Sequence, residues 1–205
     1  MMNSRTQGIV VAGPRGALEC AVDAPAEGMR GVAVICHPHP QHGGTMDNKV
    51  VQTLARVMLQ LGYRAVRFNY RGVGASDGSW DEGRGEVDDA LAVIAAQRVP
   101  GLPLVLAGFS FGGYVAAAAA ARLPEDGRAA RLVLVGASTE KQQVPEVPAD
   151  TLVVHGELDD VVPLSATLAW ARPQSLPVVV VPGAGHFFHG QLMLLKSLVH
   201  RNFAD

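Results

Sequence analysis

A serine with a glycine two residues to either side, Gly108-Phe109-Ser110-Phe111-Gly112, is the strongest chemical signal in this sequence. It lies between Leu104 to Ala107, a short apolar run that reads as a buried strand, and Gly112 to Leu123, which has the composition of a buried helix. A chain that turns from strand into helix within so few residues forces the middle residue into a strained backbone conformation, its side chain pushed out over the sheet edge. Small residues are required two positions away on each side. The helix start then brings free N–H groups and a positive dipole end beside the serine oxygen, a setting that suits an attacking serine. The same spacing occurs at Gly74-Ala75-Ser76-Asp77-Gly78, after an apparent strand from Ala65 to Asn69. That match runs on into Ser79-Trp80-Asp81-Glu82-Gly83-Arg84-Gly85, which is loop composition without a helix start, so context selects Ser110 as the nucleophile.

A serine hydroxyl is a weak nucleophile near neutral pH and needs a base, usually histidine, oriented in turn by a carboxylate. The stretch Thr151-Leu152-Val153-Val154-His155-Gly156-Glu157-Leu158-Asp159-Asp160 places acids just beyond a strand. Asp159 is the expected acid, with Glu157 and Asp160 as alternatives. The run Val178 to Val181 ends in Pro182-Gly183-Ala184-Gly185-His186, a glycine-rich loop that leaves the His186 imidazole free to reach the serine. The chain order Ser110, Asp159, His186 matches the order in which strand ends present such groups along the carboxyl edge of a parallel sheet. Of the other histidines, His189 and His200 fall on a terminal helix and His155 precedes a turn glycine, so His186 is the expected base. Its neutral form must do the work, which predicts activity that rises as the imidazole loses its proton.

The elements that must position these groups read clearly. Ile9 to Ala12 and Ala17 to Val22 flank Gly13-Pro14-Arg15-Gly16 and predict an opening hairpin. Strands are expected at Gly31 to Cys36, Ala65 to Asn69, Leu104 to Phe109, Arg131 to Val135, Thr151 to Val154 and Val178 to Val181. Helices are expected at about Asp47 to Leu61, Glu86 to Gln97, Gly112 to Leu123, Pro163 to Ala171 and His189 to His200. In the first of these Val50, Leu54, Val57, Met58 and Leu61 share a face, and in the second Val87, Leu91 and Ile94 point inward. Strands alternating with helices indicate an α/β fold, a mostly parallel sheet covered on both faces. The run Ala116 to Ala121 is read as small residues that let a helix lie close to the sheet. Gly136 to Asp150 is short, polar and holds two prolines, so it is a loop with no room for a large insertion.

The sequence has 205 residues, 48% of them hydrophobic and 18% charged, enough for one domain, residues 1–205, with a sizeable core. A net charge of -2 offers no basic surface for nucleic acid. Met1 to Gln7 is polar with no apolar stretch behind it, and no apolar run approaches the roughly 20 residues that span a bilayer. A cytoplasmic protein without a membrane partner is expected, one that acts on a small molecule, with its oligomeric state open. Cys20 and Cys36 lie in strand-like runs, where reduced buried thiols are the default.

Five segments together resemble the α/β-hydrolases, in particular the small capless bacterial serine hydrolases related to serine aminopeptidases and dienelactone hydrolases. They are His37-Pro38-His39-Pro40-Gln41-His42-Gly43-Gly44-Thr45-Met46-Asp47-Asn48-Lys49, Phe68-Asn69-Tyr70-Arg71-Gly72-Val73-Gly74-Ala75-Ser76-Asp77-Gly78, Gly108-Phe109-Ser110-Phe111-Gly112-Gly113, His155-Gly156-Glu157-Leu158-Asp159-Asp160-Val161-Val162-Pro163 and Gly183-Ala184-Gly185-His186-Phe187-Phe188. The resemblance implies a three-layer fold around an eight-stranded sheet whose second strand runs antiparallel, without a cap domain. It also implies an oxyanion hole made of two backbone N–H groups, which by position are those of Phe111 and His39. Pro38 stands where relatives commonly have glycine, and neither Pro38 nor Pro40 has an N–H to offer, so Gln41 and His42 stay open as substitutes for His39. A competing reading takes His37, His39 and His42 as zinc ligands, but the triad chemistry needs no metal and no cofactor is expected. The implied activity is hydrolysis of a small ester through an acyl-enzyme, with a peptidase, amidase or thioesterase as the alternative within the fold. A binding protein that keeps the fold without turnover is the alternative outside it.

Overall fold

The computed structural model describes residues 6–203, so most of the polar opening stretch, residues 1–5, lies outside the described residues. The elements begin with β1 (Gln7–Gly13), β2 (Gly16–Asp23), β3 (Gly31–Cys36), α1 (Lys49–Gln60), β4 (Tyr63–Phe68), α2 (Arg84–Gln97) and β5 (Leu104–Phe109). They continue with α3 (Phe111–Arg122), β6 (Arg131–Val135), β7 (Leu152–Gly156), α4 (Leu164–Ala171), β8 (Val178–Val181) and α5 (Leu192–Asn202). All eight strands join one sheet in the order β1-β2-β4-β3-β5-β6-β7-β8. β2 runs antiparallel to both β1 and β4, and every other pairing is parallel. The expected hairpin and the reversed second strand are both present.

β3 is buried along its whole length, and its side chains divide between two cores. Val32, Val34 and Cys36 enter one apolar cluster with residues of α2 and α3, whereas Ala33 and Ile35 enter another with residues of α1 and α5. The two-residue period of a strand sends successive side chains to opposite faces, and burial of both faces explains an uninterrupted apolar run. Each Val, Leu or Ile removed from water there contributes about 1.5–3 kcal/mol. In α3, Ala116, Ala117 and Ala119 are buried in the first cluster, as the close-packing reading of the alanine run requires.

Several boundaries shift for identifiable reasons. α1 starts at Lys49 because the Asn48 side chain caps it, its Oδ1 accepting from the N–H groups of Val50 (2.9 Å) and Val51 (3.4 Å). α2 starts two residues earlier than expected, since the Glu86 carboxylate turns back to accept from the N–H groups of Asp81 (2.9 Å) and Gly83 (2.7 Å). α5 begins only at Leu192, after Gly190 takes the left-handed conformation (φ 75°). β7 runs past Val154 through His155 and Gly156, which pair with Val180 and Val181 of β8. The β6–β7 connection holds neither helix nor strand. No helix among the described residues is long and apolar enough to cross a membrane, and both cysteines are buried free thiols.

Candidate active site

Ser110 sits between the last residue of β5 and the first of α3 with φ 57° and ψ −122°, a backbone conformation that costs a residue with a Cβ about 1–3 kcal/mol. The neighbouring structure holds it there. Its N–H donates to Val135 O (2.9 Å), and its carbonyl accepts from the N–H groups of Gly113 (2.9 Å) and Ser138 (3.1 Å). The flanking glycines are sterically required: a Cβ on Gly108 would collide with the Gly112 carbonyl, and one on Gly112 with the Cys36 carbonyl at the end of β3. The spacing of the motif therefore reflects one backbone contact inside the sheet-to-helix turn and one with the end of the neighbouring strand β3.

The structure brings Ser110, His186 and Asp159 together. His186 Nδ1 lies 2.7 Å from Asp159 Oδ2 and His186 Nε2 lies 2.9 Å from Ser110 Oγ. A carboxylate only accepts, so Nδ1 carries the proton and Nε2 presents its lone pair to the serine hydroxyl. The other carboxylate oxygen, Asp159 Oδ1, accepts from the N–H groups of Val161 (3.0 Å) and Val162 (2.8 Å). Burial pushes the Asp159 pKa up, but the His186 hydrogen bond, the Val162 and Val161 donors and the His186 charge outweigh it and hold the carboxyl below its usual range. Gly136, at φ 51°, backs the pair: a Cβ there would stand 3.4 Å from both Asp159 Oδ2 and His186 Nδ1. The alternative acids lie elsewhere, Glu157 accepting from the Gly183 N–H (2.8 Å) and Asp160 exposed. His189 and His200 are exposed as well.

Ser76, the other serine in the glycine pattern, has a different task. Its Oγ accepts from the Glu19 N–H (2.9 Å) and donates to the Asn69 carbonyl (2.8 Å), stapling the loop after β4 to β2. That loop is held further along by Arg71, whose buried guanidinium grips the Asp89 carboxylate of α2 from Nε (3.0 Å) and Nη2 (2.7 Å). It carries Trp80 to the chain segment after β3. There the rings of His39, Trp80 and Phe111 pack together, with centroids 4.7 Å (His39–Trp80), 5.1 Å (His39–Phe111) and 5.3 Å (Trp80–Phe111) apart. The residues whose N–H groups are expected to form the oxyanion hole thus share one aromatic cluster.

Within the segment after β3, the His42 N–H donates to the His39 carbonyl (3.1 Å), which withdraws it as a substitute donor, and Gln41 is exposed. Phe111, as the first residue of α3, has no intrahelical acceptor for its N–H. His37 has both ring nitrogens engaged: Nδ1 donates to the Pro38 carbonyl (2.7 Å) and Nε2 accepts from the Tyr70 N–H (3.2 Å). It is a fully buried core histidine that closes the end of β3, and both of its lone-pair positions are unavailable to a metal.

Burial drives the His37 pKa from 6.5 down to about 3, against a weaker opposing effect of its bond to Pro38. Between those values the unfolded chain binds a proton that the folded ring refuses, so protons favour unfolding. Stability is therefore expected to fall as the pH drops from about 6.5 towards about 3, with up to ~1.4 kcal/mol per pH unit from this group alone. Urea unfolding at a series of pH values measures the slope. Midpoints that stay constant over that window would contradict a buried neutral His37.

A mostly parallel eight-stranded sheet with its second strand reversed, and a strained serine where β5 turns into α3, define the class as an α/β serine hydrolase. Residues 28–149 match the family described as serine aminopeptidase, S33, and the chain belongs to that family. A solved α-β serine hydrolase homologue from Coxiella burnetii is 40% identical, with a TM-score of 0.87 over 100% of this chain and 99% of that one. A serine hydrolase without a lid from Xanthomonas campestris is 38% identical, with a TM-score of 0.87 over 98% of this chain and 95% of that one. An uncharacterised protein of Rickettsia prowazekii is 38% identical over 116 residues, which is 55% of this chain and 49% of that protein. This chain thus spans about half the length of that curated relative.

A buried residue beside the triad that sequence reasoning passed over is His155. Placed before a turn, it looked incidental, yet it is the fourth residue of β7, completely buried, with Nε2 3.4 Å from Asp159 Oδ2. The available signal was a histidine at the end of the apolar run Leu152 to Val154, where a polar ring needs partners.

Proposed function

We propose that the protein is a carboxylesterase-like serine hydrolase that cleaves small esters through an acyl-enzyme. The observation that carries this reading is the unbroken line from Ser110 Oγ to His186 (2.9 Å) and on to Asp159 (2.7 Å). In this reading His186 Nε2 takes the hydroxyl proton as Ser110 Oγ bonds to the ester carbonyl carbon. The carbonyl oxygen becomes an oxyanion held by the N–H groups of Phe111 and His39. Collapse of the tetrahedral species breaks the ester C–O bond, and His186 returns its proton to the departing alkoxide. Water, deprotonated by His186, then attacks the acyl-serine, and Ser110 recovers its proton while the carboxylic acid leaves. Asp159 keeps His186 in the productive tautomer and supports the imidazolium in both halves. The cycle as written uses no cofactor. The proposal includes a cytoplasmic setting, a small-molecule acyl substrate, and no nucleic-acid or membrane partner.

A fluorophosphonate probe is expected to label Ser110, and absence of labelling would favour a binding protein on the same fold. The β6–β7 connection holds neither helix nor strand, and the rings of His39, Trp80 and Phe111 beside the expected oxyanion donors pack into one cluster. Each CH₂ of a bound chain gains about 0.8 kcal/mol only when fully buried. In a panel of p-nitrophenyl esters, acetate to butyrate are therefore expected to turn over best. Rates that climb steadily towards long acyl chains would overturn the substrate size. The family description favours one second reading, cleavage of an amide bond next to an amino-terminal residue. Aminoacyl nitroanilides in the same panel decide it, since that reading requires them to outperform the esters.

A further inference from the structure

We propose that His155 is a positioning residue that holds the Asp159 loop from behind, through its hydrogen bond to the Val162 carbonyl. The inference rests on the reading of Asp159 as the acid that orients His186. It starts from where a fully buried imidazole puts its two nitrogens. Nε2 lies 2.9 Å from the Val162 carbonyl and 3.4 Å from Asp159 Oδ2, and Nδ1 lies 3.2 Å from Thr167 Oγ1 of α4. Thr167 Oγ1 in turn lies 3.1 Å from Thr139 Oγ1 in the β6–β7 connection.

The direction of every bond in this chain follows from the groups themselves. A carbonyl and a carboxylate only accept, so Nε2 carries the proton. Burial lowers the His155 pKa, opposed by Val162 and Asp159 and assisted by His186, so the ring is neutral and Nδ1 is an acceptor. Thr167 therefore donates to Nδ1, and Thr139 donates to Thr167. The chain runs one way, from Thr139 through Thr167 and His155 to Val162. Val162 is gripped at both ends, its carbonyl by His155 and its N–H by Asp159 Oδ1 (2.8 Å). Asp159 thus accepts from three N–H groups, those of Val161, Val162 and His186, and the His155 ring stands 3.4 Å behind Oδ2. The titratable groups acting on His155 are Asp159 from its own loop and His186 from the β8–α5 loop, whereas α4 and the β6–β7 connection present the uncharged hydroxyls of Thr167 and Thr139.

A histidine that merely filled space could be exchanged for leucine, which is of similar volume. The positioning role predicts otherwise. With p-nitrophenyl acetate as the probe, His155→Leu is expected to lower kcat by about tenfold or more with little change in KM, because the acid loop loses its anchor. His155→Gln can set an amide N–H near the place of Nε2 and is expected to recover most of kcat, whereas His155→Asn is too short and is not. Wild-type kcat in a folded His155→Leu, or a Gln variant as poor as Leu, would overturn the proposal. If His155→Leu shows no cooperative unfolding transition, the pair Thr167→Val and Thr167→Ser decides, because only valine removes the hydroxyl that fixes the ring tautomer. A several-fold loss confined to the valine variant supports the relay, and equal rates overturn it. Asp159→Asn in the same assay separates the two ideas: if it is fully active, the triad assignment has failed, not the relay argument alone.

Discussion

Ser110→Ala is expected to lower p-nitrophenyl acetate hydrolysis by roughly 10⁴- to 10⁶-fold and to abolish fluorophosphonate labelling. In the proposed cycle the hydroxyl is the atom that bonds to the acyl carbon, so no other group can take over its step. The backbone should not notice. Alanine keeps the Cβ, and with it the strain at φ 57°, while the bonds to Val135, Gly113 and Ser138 are all made by the main chain. The lost hydroxyl has His186 as its hydrogen-bond partner, so thermal unfolding should shift by no more than a few degrees. Intact-protein mass spectrometry after labelling and a thermal melt of the same sample measure both halves. Turnover retained in a folded variant would remove Ser110 from the mechanism.

Asp159→Asn is expected to reduce kcat by about 10⁴-fold with the fold preserved. Asparagine keeps the size of the side chain, and its oxygen can still accept from Val161 and Val162. Its NH₂ then faces His186 Nδ1 and must donate to it, which drives the histidine proton onto Nε2 and leaves no lone pair for the Ser110 hydroxyl. The flipped amide is no better, because it aims the NH₂ at two backbone N–H donors. Asp160→Asn, on an exposed neighbour, should change kcat by less than about twofold. A larger effect at Asp160 than at Asp159 would show that the wrong carboxylate has been assigned.

Both outcomes turn on residues whose types were visible in the sequence, and what was visible there was set by short-range physics. The run Gly31 to Cys36 is apolar at every position because both faces of β3 are buried, and it was legible as a strand for that reason. Gly108 and Gly112 were legible as an elbow from their spacing about the serine; a Cβ on Gly108 would strike the Gly112 carbonyl four residues on, and one on Gly112 would strike the Cys36 carbonyl at the end of β3. Ser110, Asp159 and His186 stood out because each follows a recognisable strand in turn, at the edge where the carboxyl ends of parallel strands meet.

What local sequence did not reveal was how polar groups pair once the sheet has closed. Ser76 matched the nucleophile spacing, and its actual bonds to β2 and the end of β4 exist only because β2 and β4 lie side by side. Trp80 came to rest on His39 and Phe111 because Arg71, Asp89 and Glu86 fix the course of its loop, and those carboxylates belong to a helix that follows it. His155 was passed over because β7 seemed to stop at Val154, and only pairing with β8 extends the strand to Gly156. By itself the sequence determined which segments become strands and helices and which side chains reach the sheet edge, since period, volume and backbone strain are properties of neighbours in the chain. The tertiary structure decided which hydrogen-bond donors meet which acceptors, because a bond such as that between Ser110 and His186, 76 residues apart, has no local signature until packing brings its two ends together.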